Sequence, residues 1–144
     1  MLLKIPSASD VVPGTEYSGF KSIESSDPRA DAMSEINTSD LTLAWPGALI
    51  PNANRSMLNK QGIILGIGLA FALKEHPSGI PEAFKGMQDG EPVKIITSTR
   101  MSSEYDDRIY LAYFYINEKG ELVTSYVAHK PWATECPSPA VFAV

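Results

Sequence analysis

The pattern of apolar and polar positions changes near residue 90, and downstream of it the chain reads as strands. Residues 93–100 alternate with a period of two, which predicts a strand with one buried face. Residues 109–116 are an unbroken aromatic and aliphatic run, and 121–128 are again rich in β-branched and aromatic residues. Turn-forming residues at 117–120 separate these last two runs. The three strands are therefore expected to form an antiparallel meander.

Upstream of residue 90, the most apolar stretch predicts a helix over 56–75. Its large apolar side chains cover nearly the whole circumference of a helix, which indicates a central, buried element. Asn54 or Ser56 can cap its N-terminus. Small residues recur every four positions, and such a ridge would let a neighbouring element approach the helix backbone: Gly62, Gly66 and Ala70.

Shorter elements are predicted on both sides of this helix. Asp27-Pro28 is a favourable start for a helix over 28–37, and a second short helix begins at Pro81 and ends near Asp89-Gly90. Residues 41–45 predict a strand closed by a turn, and the proline-rich tail is expected to end in a short strand at 141–143. The predicted fold is thus α+β, with the meander and N-terminal strands packed on one central helix and two shorter helices.

Length, composition and charge limit the class of protein. A chain of 144 residues predicts a single domain, 1–144, and 44% hydrophobic with 20% charged residues is typical of a folded, soluble protein. Twelve Lys and Arg against 17 Asp and Glu leave a net charge of −5, which disfavours general nucleic-acid binding. The first residues do not read as a secretory signal, and the apolar run 63–73 is too short to span a membrane, so a cytoplasmic location is expected.

The segment that leads into the predicted helix is the first candidate ligand site. Asn52, Asn54, Arg55 and Ser56 place two amides, a guanidinium and a hydroxyl where free backbone amides and the helix dipole favour an anion. The alternative is an ordinary helix cap, with Arg55 in solvent. The glycines and lysine of a phosphate-binding loop are absent from this stretch.

The second candidate site is the connection that follows the strand at 93–100. Hydroxyl residues at 97–99 and Arg100 precede a polar loop that contains Asp107 and Arg108, a combination that could hold a phosphate or a sugar. The alternative is a solvated hairpin connection in which arginine and aspartate side chains pair.

Catalytic and metal-binding patterns are weak. A dyad of Cys136 with His76 or His129 is disfavoured, because Glu135 beside the cysteine would raise its thiol pKa. Adjacent aspartates in a strand point to opposite faces, so Asp106 and Asp107 cannot act together as acid and base. No metal-ligand spacing or cofactor motif is present, and no metal or cofactor is expected.

The tyrosine-rich hairpin is apolar on both faces, and both faces must be covered. A helix can cover one face, whereas the other needs the N-terminal segment, the tail or a second subunit, so a homodimer is expected. We expect a non-enzymatic protein that binds a small, nucleotide-like anion. The alternatives are a protein-binding inhibitor or immunity-type module that uses this sheet, and a small hydrolase or transferase with Asp106, Asp107 or His129 as its base.

Overall fold

The computed structural model describes residues 1–11, 14–25, 30, 33–44, 63–128 and 139–143. These residues form two short α-helices, three 3-10 turns and eleven strands. The helices are α1 (Ala8–Val11) and α2 (Gly68–Glu75), and the turns are η1 (Thr38–Asp40), η2 (Pro77–Gly79) and η3 (Glu82–Lys85). The strands are β1 (Leu2–Lys4), β2 (Ser22–Ser25), β3 (Glu35–Asn37), β4 (Leu41–Ala44), β5 (Ile63–Ile64), β6 (Met87–Gln88), β7 (Glu91–Pro92), β8 (Ile95–Ser102), β9 (Ile109–Ile116), β10 (Leu122–Ala128) and β11 (Ala140–Ala143).

One seven-stranded sheet dominates the fold. Its strands follow the order β10-β9-β8-β11-β4, with β2 added along β8 and β5 added along β11. Every pairing is antiparallel except that of β11 with β8. Two small antiparallel pairs, β1-β3 and β6-β7, complete the strands. The architecture is broadly α+β and mostly antiparallel, as the sequence pattern predicts.

The predicted meander is present. Strand β9 has the predicted bounds, β10 begins one residue later than predicted, and β8 is shifted two residues downstream. The side-chain oxygen of Asn117 accepts from the backbone amides of Lys119 and Glu121, and Gly120 takes the left-handed conformation at φ 79°. The turn residues therefore close the β9–β10 hairpin by local hydrogen bonds. The strands predicted at 41–45 and 141–143 correspond to β4 and β11.

The prediction of a central helix over 56–75 is not confirmed, because among the described residues of this range only 68–75 are helical. Ile63 and Ile64 form β5, and the helix begins only at Gly68, whereas 56–62 lie outside the described residues. The reason is that the backbone here bonds to the sheet: the Leu65 amide donates to the Val141 carbonyl at 3.0 Å. A short apolar run fits a buried strand as well as a helix, and neighbouring strands decided the outcome.

The two shorter predicted helices are also not confirmed. Residues 35–37 form β3, which pairs with β1, so the helix over 28–37 is wrong at its C-terminal end. Of the helix predicted from Pro81, only the 3-10 turn η3 forms. Asp89 and Gly90 have positive φ values of 53° and 81°, which is the backbone of a two-residue hairpin turn between β6 and β7.

The core lies between α2 and one face of the sheet. Leu69, Ala70 and Leu73 of α2 are 0% exposed, and they belong to the same buried cluster as Phe84 and Phe114, whose ring centroids are 5.9 Å apart. The buried side chains of the short helix α2 form part of this core, and the helix packs against β10 and β1. The predicted ridge of small residues is not a helix feature, since Gly66 precedes α2 and faces Thr99.

Gly68 provides a test of how closely α2 packs on the N-terminal segment. A Cβ atom at Gly68 would overlap the backbone carbonyl oxygen of Pro6, which cannot move away as a flexible side chain could. We expect Gly68→Ala to lower the free energy of unfolding by about 1–3 kcal/mol through overpacking, despite the higher helix propensity of alanine. Urea denaturation measures this change. Gly19→Ala, where the added methyl meets open space, is the control, and equal stability of the two variants would contradict the packing.

Candidate functional site

The first sequence-predicted site lies outside the described residues. Asn52, Asn54, Arg55 and Ser56 belong to that part of the chain, as do His129 and Cys136. The anion site predicted at 52–56 therefore stays a prediction.

The second sequence-predicted site falls on the β8–β9 connection. Arg100 lies on β8 opposite Leu111, whereas Asp107 and Arg108 lie in the exposed connection before β9. The hydroxyl residues that were expected beside the arginines are instead buried in the sheet. Thr97 and Ser98 are 0% exposed and Thr99 is 2% exposed. The side chains of this predicted site thus divide between the interior and the surface.

The buried hydroxyls bond within the protein. The register of β8 against β9 shifts between Ile96 and Arg100, so three residues of β8 lie opposite Ala112 alone. The Thr97 hydroxyl donates to the Ala112 carbonyl at 2.9 Å, and the Thr99 hydroxyl accepts from the Ile67 amide at 2.9 Å. The first bond satisfies the Ala112 carbonyl at the irregular register, and the second satisfies the buried Ile67 amide immediately before α2.

Asp106 organises the exposed connection. One of its carboxylate oxygens accepts from the Tyr110 hydroxyl at 2.8 Å, and the other accepts from the Arg108 backbone amide at 2.9 Å. These bonds, the one from Tyr110 first, lower the pKa of Asp106, and the same bond raises the pKa of Tyr110. A carboxylate with a lowered pKa is a weaker base, so this geometry does not favour Asp106 as a general base at neutral pH.

One concave region in the described part of the chain is a cleft of about 880 Å³ between β1, α1 and α2, which we call the β1–α2 cleft. Leu3 of β1 points into the core, so Leu2 and Lys4 lie on the opposite side of the strand and line the cleft. On α2, positions 71, 74 and 75 share one helical face. Phe71, Lys74 and Glu75 consequently line the same cleft.

The β1–α2 cleft combines an apolar floor with charged groups. Ile5, Val11 and Phe71 are partly buried and supply the floor. Lys4 and Lys74 are exposed, and no carboxylate of the described residues lies within 4.0 Å of either ammonium group. Both ammonium groups can therefore bind an anion without first breaking an ion pair to a described residue.

Lys74 also borders a second cleft of about 570 Å³, next to β10. Glu16 and Glu121 line this second cleft, and a Glu16 carboxylate oxygen accepts from the Thr124 hydroxyl at 2.5 Å. Its charged side chains are therefore one lysine and two glutamates, with a formal charge of −1. The β1–α2 cleft is lined by Lys4 and Lys74 and also by Asp10 and Glu75, with a formal charge of zero, so an anion is repelled less there.

The N-terminal segment packs on the hairpin face that carries Phe114, which is the core face, and not on the opposite face as one of the open alternatives had it. Phe20 packs against Tyr110 and Tyr126, with ring centroids 5.3 and 4.9 Å apart. Tyr17 is 1% exposed, and its hydroxyl donates to the Ser125 carbonyl at 2.7 Å. This face is therefore covered from within the chain.

The opposite face of the hairpin has a different environment. Tyr113 and Tyr115 lie side by side on it with ring centroids 6.4 Å apart, and the Lys94 ammonium lies 5.7 Å from the Tyr113 ring centroid. Ile109 and Val127, on the same face, remain 37% and 46% exposed. Part of the apolar surface on this face of the hairpin is therefore exposed to solvent.

Sequence reasoning missed the residues of the β1–α2 cleft. The three-residue spacing of Phe71 and Lys74 was a signal that they share a helical face. No signal joined Lys4 to them, since the two lysines are 70 positions apart in the sequence.

Comparison of the chain with protein-family models, with curated proteins and with solved structures finds no match. Within the described ranges, no three His, Cys, Asp or Glu side chains are grouped in a way that could hold a metal ion. None of the helices described is long and apolar enough to cross a membrane.

Tyr17 predicts a pH dependence of stability. Burial, and then the charge of Glu16, raise the pKa of Tyr17 well above its ordinary value. In the unfolded chain this tyrosine ionises near pH 10, so its contribution to stability is complete below about pH 10 and is lost as the pH rises further.

Tyr17→Phe should therefore be less stable at pH 8 by about 0.5–1.5 kcal/mol, because the bond to Ser125 is removed. Above pH 10 the free energy of unfolding should fall less steeply for Tyr17→Phe than for the wild type. The two slopes should differ by up to about 1.4 kcal/mol per pH unit. Urea unfolding between pH 8 and 11 measures both effects. Tyr105→Phe is the control at a tyrosine that is 90% exposed, and parallel curves for all three proteins would contradict the burial of Tyr17.

Proposed function

We propose that this protein binds a small anionic ligand without catalysing a reaction on it, and that the ligand occupies the β1–α2 cleft. The observation that carries the proposal is the position of Lys4 and Lys74, two ammonium groups beside an apolar floor and without a carboxylate within 4.0 Å among the described residues. Small-molecule sites are typically concave and mostly apolar, with a few polar groups that orient the ligand.

The cleft favours a ligand with two chemically different parts. A phosphate or carboxylate group would bind the lysines, while a flat apolar part would lie against Phe71 and Ile5. A volume of about 880 Å³ is within the range of about 300–1,000 Å³ that drug-sized ligands occupy. A nucleotide-like anion meets both requirements.

The residues predicted from the sequence enter the proposal as a second location. The same class of ligand could instead bind at the residues predicted from the sequence, which are Asn52, Asn54, Arg55 and Ser56, with Arg100, Asp107 and Arg108. Substitutions distinguish the two locations. Lys4→Gln or Lys74→Gln removes a charge from the β1–α2 cleft, whereas Arg55→Ala removes one from residues 52–56.

The first experiment is a thermal-shift screen of nucleotides, sugar phosphates and aromatic carboxylates, followed by titration of any ligand found. We expect Lys74→Gln and Lys4→Gln each to weaken binding by roughly 1.4- to fivefold, because both ammonium groups are exposed and an exposed ion pair contributes about 0.2–1 kcal/mol. Lys119→Gln, in the exposed β9–β10 turn, is the matched control and should bind normally.

Two results would contradict this site. Equal affinities of Lys74→Gln, Lys4→Gln and the wild type would exclude the β1–α2 cleft. Weaker binding by Arg55→Ala alone would place the ligand at residues 52–56 instead.

A second candidate function, a protein-binding module, is favoured by one observation. The hairpin face that carries Tyr113 and Tyr115 includes the partly exposed Ile109 and Val127, and tyrosine is enriched in protein interfaces. The expected homodimer would use this face. Phe114 points to the other face and is 0% exposed, so Phe114→Asp should unfold the chain.

Tyr113→Asp tests the homodimer. The variant should convert a dimer into a monomer, with a circular dichroism spectrum like that of the wild type, because it buries a charge only in the assembled state. Light scattering at high micromolar concentration gives the mass, and Ser78→Asp, at an exposed turn position, is the control. A monomeric wild type would contradict the homodimer.

A further inference from the structure

Strand β10 forms one end of the seven-stranded sheet, and among the described residues it pairs only with β9. The Asn117 amide donates to the Glu121 carbonyl at 2.9 Å, which fixes the bonding pattern of the hairpin. Bonded and non-bonded pairs alternate along an antiparallel ladder, so the backbones of Val123, Ser125 and Val127 bond to β9. The other residues of β10 direct their amides and carbonyls away from the sheet: Leu122, Thr124, Tyr126 and Ala128.

These outward backbone groups are available for pairing with another strand. None of the four residues has a backbone hydrogen bond to another residue that the structure describes. The first half of β10 borders the cleft of about 570 Å³, and in the second half Tyr126 and Val127 are 41% and 46% exposed. Both halves of this edge are therefore accessible from solvent.

The composition of β10 lacks the usual protection of an edge strand. Natural edge strands avoid unwanted pairing through charged side chains, prolines or bulges. Residues 122–128 contain no charged residue and no proline, and their register with β9 is unbroken. A regular, neutral edge of seven residues is the kind of surface to which an extended peptide adds as a further strand.

The charge beside the edge limits the chemistry of such a peptide. Glu16 is exposed, and its carboxylate accepts from the Thr124 hydroxyl, so this carboxylate lies next to the edge. No lysine or arginine nitrogen of the described residues lies within 4.0 Å of it. Lys74 and Glu121 line the same cleft with charges that cancel, and the whole chain carries −5. A basic side chain complements this charge, whereas an acidic one is repelled.

The geometry of antiparallel pairing places that basic side chain. A peptide residue opposite Thr124 has its Cα about 5.5 Å from the Thr124 Cα, and its side chain points to the same face of the sheet. Glu16 is bonded to Thr124 on this face. The neighbouring peptide residues point to the other face, beside Val123 and Val127, where apolar side chains are favoured.

We propose that the free edge of β10 binds an extended segment of another protein as an additional antiparallel strand. The segment carries a lysine or arginine opposite Thr124 and apolar residues on the face of Val123 and Val127. Affinity comes from backbone bonds to alternate residues of β10, and specificity comes from Glu16 and the apolar face. This inference depends neither on the anion site nor on the homodimer, since the outward backbone groups of β10 take part in neither.

The test uses the heptapeptide acetyl-TVYVKVT-amide, whose lysine lies opposite Thr124 when the peptide pairs antiparallel with residues 122–128. Two N-methylated forms provide a matched pair. Methylation at the tyrosine and lysine nitrogens removes amides that point at β10, whereas methylation at the second and third valine nitrogens removes amides that point away. Titration of the isotope-labelled protein, followed by NMR, gives both the affinity and the location of the peptide.

We expect the unmodified peptide and the valine-methylated form to bind equally and to shift the amide signals of β10. The form methylated at tyrosine and lysine should bind roughly fivefold or more weakly, because two backbone hydrogen bonds are lost. Equal binding of the two methylated forms would overturn the proposal, as would a wild type that does not bind the unmodified peptide at millimolar concentration.

Glu16→Gln tests the chemistry of the partner. It should weaken binding of the peptide by roughly 1.4- to fivefold, with no effect on a peptide that has glutamine in place of lysine. Glu104→Gln, at an exposed position of the β8–β9 connection, is the matched control. Lys4→Gln should also bind the peptide normally, which separates this edge from the β1–α2 cleft. If Glu16→Gln binds the lysine peptide like the wild type, the basic partner is wrong.

Light scattering on the wild type, with and without the peptide, distinguishes the other occupant of the edge. We expect the peptide to leave the oligomeric state unchanged. A dimer that the peptide converts into a monomer would assign the edge of β10 to a second copy of this chain and overturn the proposed partner.

Discussion

The fold depends on the way in which the backbone of Leu65 joins two strands. Its amide donates to Val141 on β11, and its carbonyl accepts from the Ser98 amide on β8, at 3.0 and 2.9 Å. Two residues later, the Ile67 amide donates to the buried Thr99 hydroxyl. These bonds anchor the chain to the sheet immediately before α2 begins. Because backbone groups buried without partners are costly, the irregular stretch of β8 and the start of α2 stabilise each other.

The same anchor sets the geometry of the β1–α2 cleft. Once the start of α2 is held at Thr99, its first residue, Gly68, lies against the Pro6 carbonyl, and this contact brings the segment after β1 beside the helix. Phe71 and Lys74 then face the side of β1 that carries Lys4. The cleft is therefore a consequence of packing at a glycine, and a larger residue there would separate its two walls.

Among the described residues, several polar groups that the sequence offers for chemistry are used to build the structure. The hydroxyls of Thr97 and Thr99 bond to backbone groups inside the sheet, and Asp106 shapes the β8–β9 connection through Tyr110 and the Arg108 amide. The lysines of the cleft are different, since among the described residues neither ammonium has a carboxylate within 4.0 Å. The proposed anion site rests on these two ammonium groups.

The sequence by itself determined the elements whose signals are local. The β9–β10 hairpin follows from two β-rich runs and from Asn117 and Gly120 in the turn, which form their bonds within a few residues. Only the tertiary structure decided which secondary structure the apolar run at 63–73 adopts, because burial favours strand and helix alike. The neighbouring strands β8 and β11 supplied the hydrogen bonds that hold its first residues in the sheet. The candidate site was likewise decided by the tertiary structure. Lys4 and Lys74 are far apart in sequence, and only the packing of β1 on α2 brings their charges to one cleft.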